Sequence, residues 1–496
     1  MERVALVLAT LITRVIFRSE RLYDLDSVNF ALALSDFDPW LHQPHPPGYY
    51  LYVLSGRLAS FVFPEANDAL VAVSVVASCV TVLALYELAR AMYGGRAGLY
   101  AGIAFVLSPL GWFHGTVALT YIAEAAGSAT VGWLCWRTRR GDPKTAVWAA
   151  AALAVTVGMR QSAILFLGPL WLFCLYRRSA REIVRAVVVF GCVCLAWFAP
   201  MIIEAGGPER YFAALSNLWT AVPAQKALTQ EDGIGGAAAL GAARLLTIGF
   251  IFLITIGFFG VARLLRVAAP SPEPGRTSFI LVWLGPGIAF FSIVYLIFVN
   301  SGYLLVITPP LFAWVGGVLD RFVGQSRPSA SVALTLSGAA ALNICVFLWA
   351  PFYFSHSSVE DFERRLDQVV TSMHDRLSSR ETLIVAFDAH FHGFRHAGYY
   401  LPEFQTIAYP ATRFPDGEGI YSIQDRQTRQ LDRLPSGYKK VAFFPLPDGV
   451  RYEEYLAENV IEKLGDAATE YLSVGDTRVL VIGREALERL FEDDVE

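Results

Sequence analysis

The sequence predicts an all-α polytopic membrane domain of about 11–13 transmembrane segments followed by a C-terminal soluble α/β domain. Three observations carry this expectation. The 496 residues include only 17% charged side chains, and the mean hydropathy is +0.45, too apolar for an ordinary soluble chain of this length. Apolar runs recur throughout residues 1–352. From Phe354 onward the composition turns polar, and helical spacing gives way to short strand-like runs. The expected domains are therefore 1–352 in the membrane, with a first extramembrane loop at 18–47 and an interfacial loop at 204–241, and 353–496 outside it.

The first apolar run, Val4 to Phe17, has the length of a signal-peptide core. No small-residue cleavage site follows it, so it reads as a retained first helix with Arg14 turned inward or snorkelling. The loop after it carries Asp24, Asp26, Asp36, Asp38, His42, His45 and the pair Pro46-Pro47. Two prolines fix φ and remove two amide donors, so this loop is shaped rather than slack.

Further apolar runs cover 48–63, 68–90, 96–112, 114–136, 145–158, 162–176, 184–203, 242–265, 278–299, 302–320 and 330–351. Several fall short of the ~20 residues that a perpendicular span requires. Basic loops at Arg137 to Lys144, Arg177 to Arg185, Arg263 and Arg266, and Arg321 and Arg327 orient the chain, with the C-terminal domain opposite the basic side. The parity closes if one segment within 96–136, broken at Ser108-Pro109, does not cross, which is the favoured reading, or if the opening loop is cytoplasmic. Residues 204–241 read as an interfacial helix carrying Tyr211, Phe212 and Trp219, then a hinge at Gly233, Gly235 and Gly236. In the polar part, Ser357 to Leu377 has helical spacing, while Thr382 to Phe387, Lys440 to Phe444 and Arg478 to Ile482 read as strands before a closing helix from Glu485 to Phe491.

The composition excludes several classes. A formal charge of −4, with basic residues scattered over short loops, makes no nucleic-acid surface. All six cysteines lie in apolar segments, so no disulfide framework is implied. No internal repeat of the kind found in many transporters is evident. The C-terminal part holds no Gly-rich phosphate loop, serine elbow or metal-spaced cysteine set. His390, His392 and His396 cluster there, and on a strand the first two would share a face, but without an acidic or thiolate partner they make a weak metal set.

Ionisable residues inside apolar segments are costly and therefore informative. Arg57, Glu124 and Arg160 are the candidates, with His114 ten residues before Glu124. Arg57 and Glu124 form the obvious buried pair. Arg160, at a turn between two short spans, suits a phosphate, which a guanidinium holds by two parallel hydrogen bonds. In the opening loop, Asp36 and Asp38 have the surroundings of a turn, whereas Asp26 reads either as a helix N-cap or as a general base.

Asp26-Ser27, followed by His45-Pro46-Pro47-Gly48-Tyr49 and Gly56-Arg57-Leu58, resembles the D-S-G-E, H-P-P-G-Y and G-R-L pattern of the GT-C class of membrane glycosyltransferases, most closely its protein O-mannosyltransferase-like family. Tyr121-Ile122-Ala123-Glu124 resembles a later acidic helix position, and Gly302-Tyr303-Leu304-Leu305 before Pro309 is similar to a late R-Y-L-L…P pattern. Two departures stand out: Asn29 where the pattern has Glu, and Gly302 where it has Arg. The resemblance implies a GT-C-like fold and a polyprenyl-phosphate sugar donor. It implies inverting transfer to a hydroxyl of a protein, glycan or lipid acceptor, with Asp26 as base. Arg160 first and Arg57 second would bind the donor phosphate, and Asp24, His45, Glu124 and Tyr303 would support the pocket. No cofactor or metal is expected, because an arginine can meet the charge on the leaving phosphate, and Asn29 stands against a two-carboxylate metal site. A transporter or lipid flippase and a non-catalytic scaffold are the rival readings. The Ala- and Arg-rich usage suggests a bacterial inner membrane.

Overall fold

The computed structural model describes residues 1–221, 233–257, 275–296, 300–325, 330–387, 392–409, 420–445 and parts of 452–486. Of the chain's described residues, 71% are helical. Its helices are, in order, α1 (Glu2–Ile16), α2 (Leu25–Ser35), α3 (Tyr50–Ala59), α4 (Ala66–Tyr93), α5 (Ala97–Val106), α6 (Pro109–His114), α7 (Tyr121–Arg139), α8 (Thr145–Met159), α9 (Ala163–Leu175), α10 (Ala180–Glu204), α11 (Pro208–Ala221), α12 (Gly233–Ile256), α13 (Arg276–Ile293), α14 (Pro309–Gln325), α15 (Ala330–Trp349), α16 (His356–Arg376) and α17 (His392–Tyr400). The strands are β1 (Thr382–Phe387), β2 (Thr406–Tyr409), β3 (Ile420–Gln424), β4 (Gln427–Leu431), β5 (Lys440–Phe444), β6 (Thr469–Val474) and β7 (Thr477–Gly483). Two compact units result, one of Met1–Ser19 with Pro46–Ser358 and one of Glu20–His45 with Val359–Glu496. The opening loop, expected with the membrane domain, thus groups with the C-terminal residues.

In the first unit α4 packs against α1, α3, α5, α7 and α14. Among the described residues, α4, α10, α13 and parts of α12 and α15 are long and apolar enough to cross a membrane, and a 3₁₀ turn at Ser301–Ile307 with α14 makes a further pair bent by 68°. Helices α5, α8 and α9 are apolar but shorter, rising only about 15–22 Å at ~1.5 Å per residue. The break expected at Ser108-Pro109 is present. Ser108 caps α6 by accepting the Gly111 amide at 3.4 Å, and Pro109 follows at the first helical position. Arg14 supports this break from α1. Wholly buried, it donates to the carbonyl oxygens of Val106 at 2.7 Å and Phe105 at 3.4 Å at the end of α5, so it turns inward and does not snorkel.

Residues 204–241 differ from expectation in one respect. The stretch expected to be helical forms α11, with Tyr211 buried and Phe212 and Trp219 exposed. Gly233, Gly235 and Gly236, expected as a hinge, instead lie in the first turn of α12. The alanine- and leucine-rich run after them is a strong helix former and carries the helix back through the glycines. Arg263, Arg266 and Arg327 lie outside the described residues.

The second unit is built on a seven-stranded sheet in the order β4-β3-β2-β1-β5-β7-β6, with β1 parallel to β2 and β5 and the remaining pairs antiparallel. Central strand β1 is apolar almost throughout because both its faces are covered. On one face Ile384 and Ala386 pack with Leu366 and Met373 of α16 and Phe394 of α17. On the other, Leu383 and Val385 pack with Tyr452, Leu456 and Val460. Trp40 and Leu41 of the opening loop lie against the first of these cores. His392 begins α17 rather than sharing a strand with His390, which lies outside the described residues. Phe394, Ala397 and Leu401, spaced for one helix face, turn this stretch into a helix against the sheet. The closing helix expected from Glu485 to Phe491 lies almost wholly outside the described residues.

Candidate active site

In the second unit, α2 presents Asp26 from its first turn. The N-cap is Asp24, whose Oδ1 accepts the Asp26 amide at 2.9 Å, so Asp26 itself is free of the capping role that the sequence alone allowed it. Asp26 Oδ1 lies 3.1 Å from His45 Nδ1, both side chains being partly exposed. A tight turn returns His45 to α2. Asp38 and Gln43 exchange backbone hydrogen bonds at 2.7 and 2.9 Å, the Asp38 carboxylate accepts the Trp40 amide at 3.0 Å, and His42 takes φ of 58°. Asp36 and Asp38 thus build the turn.

Burial, with the Arg395 guanidinium close by, pushes the His42 imidazole down to about 3, while Asp26 acts weakly in the opposite direction. This histidine stays neutral in the fold but protonates once unfolded. Its contribution to stability is therefore complete above a pH of about 6.5 and falls by ~1.4 kcal/mol per pH unit below it, down to about pH 3. Urea unfolding of the purified protein at pH 7 and pH 5 checks this: stability drops at pH 5, and His42→Gln removes most of the drop.

In the first unit, Arg160 follows α8, its backbone extended and its amide bonded to the Thr156 carbonyl at 2.9 Å. The buried guanidinium donates from Nη1 to Thr120 Oγ1 at 2.9 Å, and Nε lies 3.3 Å from Glu124 Oε2. Tyrosine rings surround it, with centroids 4.5 Å away at Tyr121, 5.3 Å at Tyr303 and 5.4 Å at Tyr49. Neither hydrogen bond nor ion pair engages Nη2 among the described residues. Glu124 sits in the first turn of α7, where the helix dipole favours an acid, and its other oxygen, Oε1, is buried without a hydrogen-bond partner among the described residues.

The pairing of Arg57 with Glu124 inferred from sequence is not the one formed. Glu124 faces Arg160, and Arg57 Nη2 pairs with Glu204 Oε1 at 2.6 Å. Helical periodicity along one chain segment cannot tell which helices become neighbours, and α10 ends where Arg57 of α3 can reach it. Tyr303 belongs to the Arg160 surround. Thr120, Tyr49 and Tyr121 were missed as partners, since a tyrosine in an apolar run reads equally well as core.

Gly302 has a steric reason. A Cβ there would lie 2.4 Å from two ring carbons of Tyr121 and 2.8 Å from His114 Cε1. The space that an arginine would need is filled by the ring stacked on Arg160. Gly302→Ala is expected to lower stability by about 1–3 kcal/mol through overpacking, read as a lower melting temperature in detergent.

A groove of about 1100 Å³ runs between α3, α4, α7 and α8, lined by Leu58, Val76, Ala126, Trp148 and Val155 among others. It extends from Met159, the residue before Arg160, to Arg137 and Lys144 at the opposite end of α8. Its walls are almost wholly apolar.

This architecture is the GT-C fold of membrane glycosyltransferases. The crystal structure of ArnT from Cupriavidus metallidurans bound to undecaprenyl phosphate aligns over 97% of this chain and 97% of its own, with a TM-score of 0.60 and 15% identity. That of the Archaeoglobus fulgidus oligosaccharyltransferase in complex with Zn and sulfate aligns over 100% of this chain and 77% of its own, with a TM-score of 0.50 and 14% identity. In sequence, residues 39–184 match the family model described as the protein O-mannosyl-transferase TMEM260 N-terminal domain. No curated protein matches the chain. The resemblance to protein O-mannosyltransferases thus holds in sequence over residues 39–184, and that to the GT-C class holds in fold.

Proposed function

We propose that the chain is a polyprenyl-phosphate-sugar-dependent hexosyltransferase that passes its sugar, with inversion, to an acceptor hydroxyl outside the membrane. The observation that carries this reading is Arg160: a buried guanidinium held by Thr120 and Glu124 and ringed by three tyrosines, in the unit that also holds an apolar groove. An isoprenoid tail matches the groove and a phosphate matches the guanidinium. The ArnT neighbour, bound to undecaprenyl phosphate, supports a lipid carrier of this kind.

In this reaction Asp26 removes the acceptor proton as the oxygen attacks the anomeric carbon, and His45 holds the carboxylate in place. The bond from that carbon to the phosphate oxygen breaks, and the charge gathering on the phosphate is met by Arg160, more strongly in the transition state than before it. Arg57, already paired with Glu204, takes the secondary role. Arg160 supplies the positive charge that a metal would otherwise provide, so transfer proceeds without one, and a chelator leaves the rate unchanged. The acceptor is a protein, glycan or lipid. The chain resides in a bacterial inner membrane, with its C-terminal domain on the outer face.

Purified protein given a panel of radiolabelled polyprenyl-phosphate sugars, with and without chelator, tests this reading. The expected result is a new glycosidic bond from one donor, unaffected by chelator. Movement of the donor across sealed vesicles with no bond formed would instead establish a flippase.

A further inference from the structure

The helix α17 belongs to the C-terminal part of the chain, yet several of its polar side chains are spent on the opening loop. Arg395, wholly buried, donates from Nη2 to the Leu41 carbonyl and from Nη1 to Thr428 Oγ1 at 2.7 Å, with Gln43 Oε1 at 3.5 Å. Thr428 of β4 also donates to Gln43 Oε1. Gln43 is itself wholly buried, and its Nε2 donates to the backbone oxygen and the carboxylate of Asp36, each at 3.2 Å. Only Pro44 separates it from His45.

The same helix holds the other arm of the loop. Tyr400 Oη accepts the Leu22 amide at 2.8 Å, and His396 Nε2 lies 2.9 Å from the Leu22 carbonyl. Asp24, the cap of α2, stands two residues further on. Nearer the start of this arm, Arg21 Nε pairs with Asp367 Oδ1 at 2.8 Å, and Glu363 Oε1 accepts the amides of Glu20 and Arg21 at 2.7 and 3.0 Å, both acids belonging to α16.

Burying a guanidinium is costly, and one that only stabilised its own sheet could be replaced by an apolar side chain with little loss. Here it grips the arm that carries His45, while its helix also grips the arm that carries Asp26. We propose that α17 is a clamp that sets the distance between Asp26 and His45, with Arg395 as the positioning residue on the His45 arm, acting through Gln43 and Thr428. The C-terminal domain then takes part in the chemistry by fixing the geometry of the base. This inference rests on Asp26 being the base.

The test uses the full-length protein in detergent. Arg395→Met, Arg395→Lys and Thr428→Val are compared with wild type and with Asp26→Asn, using the active donor for kcat and undecaprenyl phosphate alone for binding. Arg395→Met is expected to lower kcat about 100-fold with carrier binding within about twofold of wild type, because a misplaced catalytic group costs rate rather than donor affinity. Arg395→Lys recovers about tenfold of that loss, and Thr428→Val costs about fivefold. In both Arg395→Met and Thr428→Val the acid limb of the kcat–pH profile moves to higher pH, since a carboxylate that loses its partner holds its proton more tightly. If Arg395→Met does not fold, Thr428→Val decides the matter, because it removes one hydroxyl and little volume. Wild-type kcat and pH profile in the folded variants, with Asp26→Asn inactive, would overturn the clamp and leave the base standing. Full activity in Asp26→Asn would overturn both.

Discussion

Asp26→Asn protein is expected to bind undecaprenyl phosphate as wild type does, to melt within a degree or two of it, and to transfer sugar about 10²–10⁴-fold more slowly. The expectation follows from the division of labour within the second unit. Asp24, not Asp26, caps α2, so replacing the Asp26 carboxylate with an amide removes no cap and leaves the helix intact. The side chain is partly exposed and faces His45, so an amide of the same shape fits the same space. What the amide cannot do is accept the acceptor's proton. Steady-state kinetics beside a carrier-binding isotherm checks the split. Transfer at the wild-type rate would assign Asp26 to the loop's structure and remove the base from the mechanism.

Arg160→Lys is expected to weaken carrier binding and to lower kcat further, together costing about 10³-fold in kcat/KM. Lysine keeps the charge but loses the planar fork, so it cannot satisfy Thr120 and Glu124 while presenting a third donor outward. The flat guanidinium also lies against the rings of Tyr121, Tyr303 and Tyr49, a surface that an ammonium covers poorly. Arg160→Ala is the harsher change. It strips the buried Glu124 of its guanidinium partner, which costs about 3–5 kcal/mol of stability, and its loss of activity would be confounded with unfolding. The double variant Arg160→Met with Glu124→Gln removes the buried charge as well as the fork. It should regain the melting temperature without regaining transfer, separating the phosphate role from the structural one. If Arg160→Lys bound and transferred as wild type does, the phosphate would have to be held elsewhere.

Much of this was legible in the sequence. Strands β1 and β5 run as their apolar spacing indicates, because a buried strand declares itself by a short β-branched and aromatic run. Strands β3 and β4 were not seen, since Ile420–Gln424 and Gln427–Leu431 carry polar residues on one face and their identity depends on pairing with each other. The break at Ser108-Pro109 was visible because proline and a capping serine act locally. That Arg14 satisfies the carbonyls of this break was not, for its partners lie about 90 residues away.

The candidate residues divide in the same way. Asp26, His45 and Arg160 stand out by type and place, as acids beside prolines and a charge in an apolar setting are informative on their own. Composition and apolar periodicity determined that the chain enters the membrane many times and ends in an α/β domain, because the cost of exposing or burying a side chain is a property of that side chain. The tertiary structure alone decided that Glu124 pairs with Arg160 rather than Arg57, that a tyrosine ring forbids anything but glycine at 302, and that Arg395 reaches across 352 residues of sequence to Gln43. Ion pairs, ring stacking and buried hydrogen bonds act over a few ångströms, and which residues come that close is settled only when the helices and strands pack.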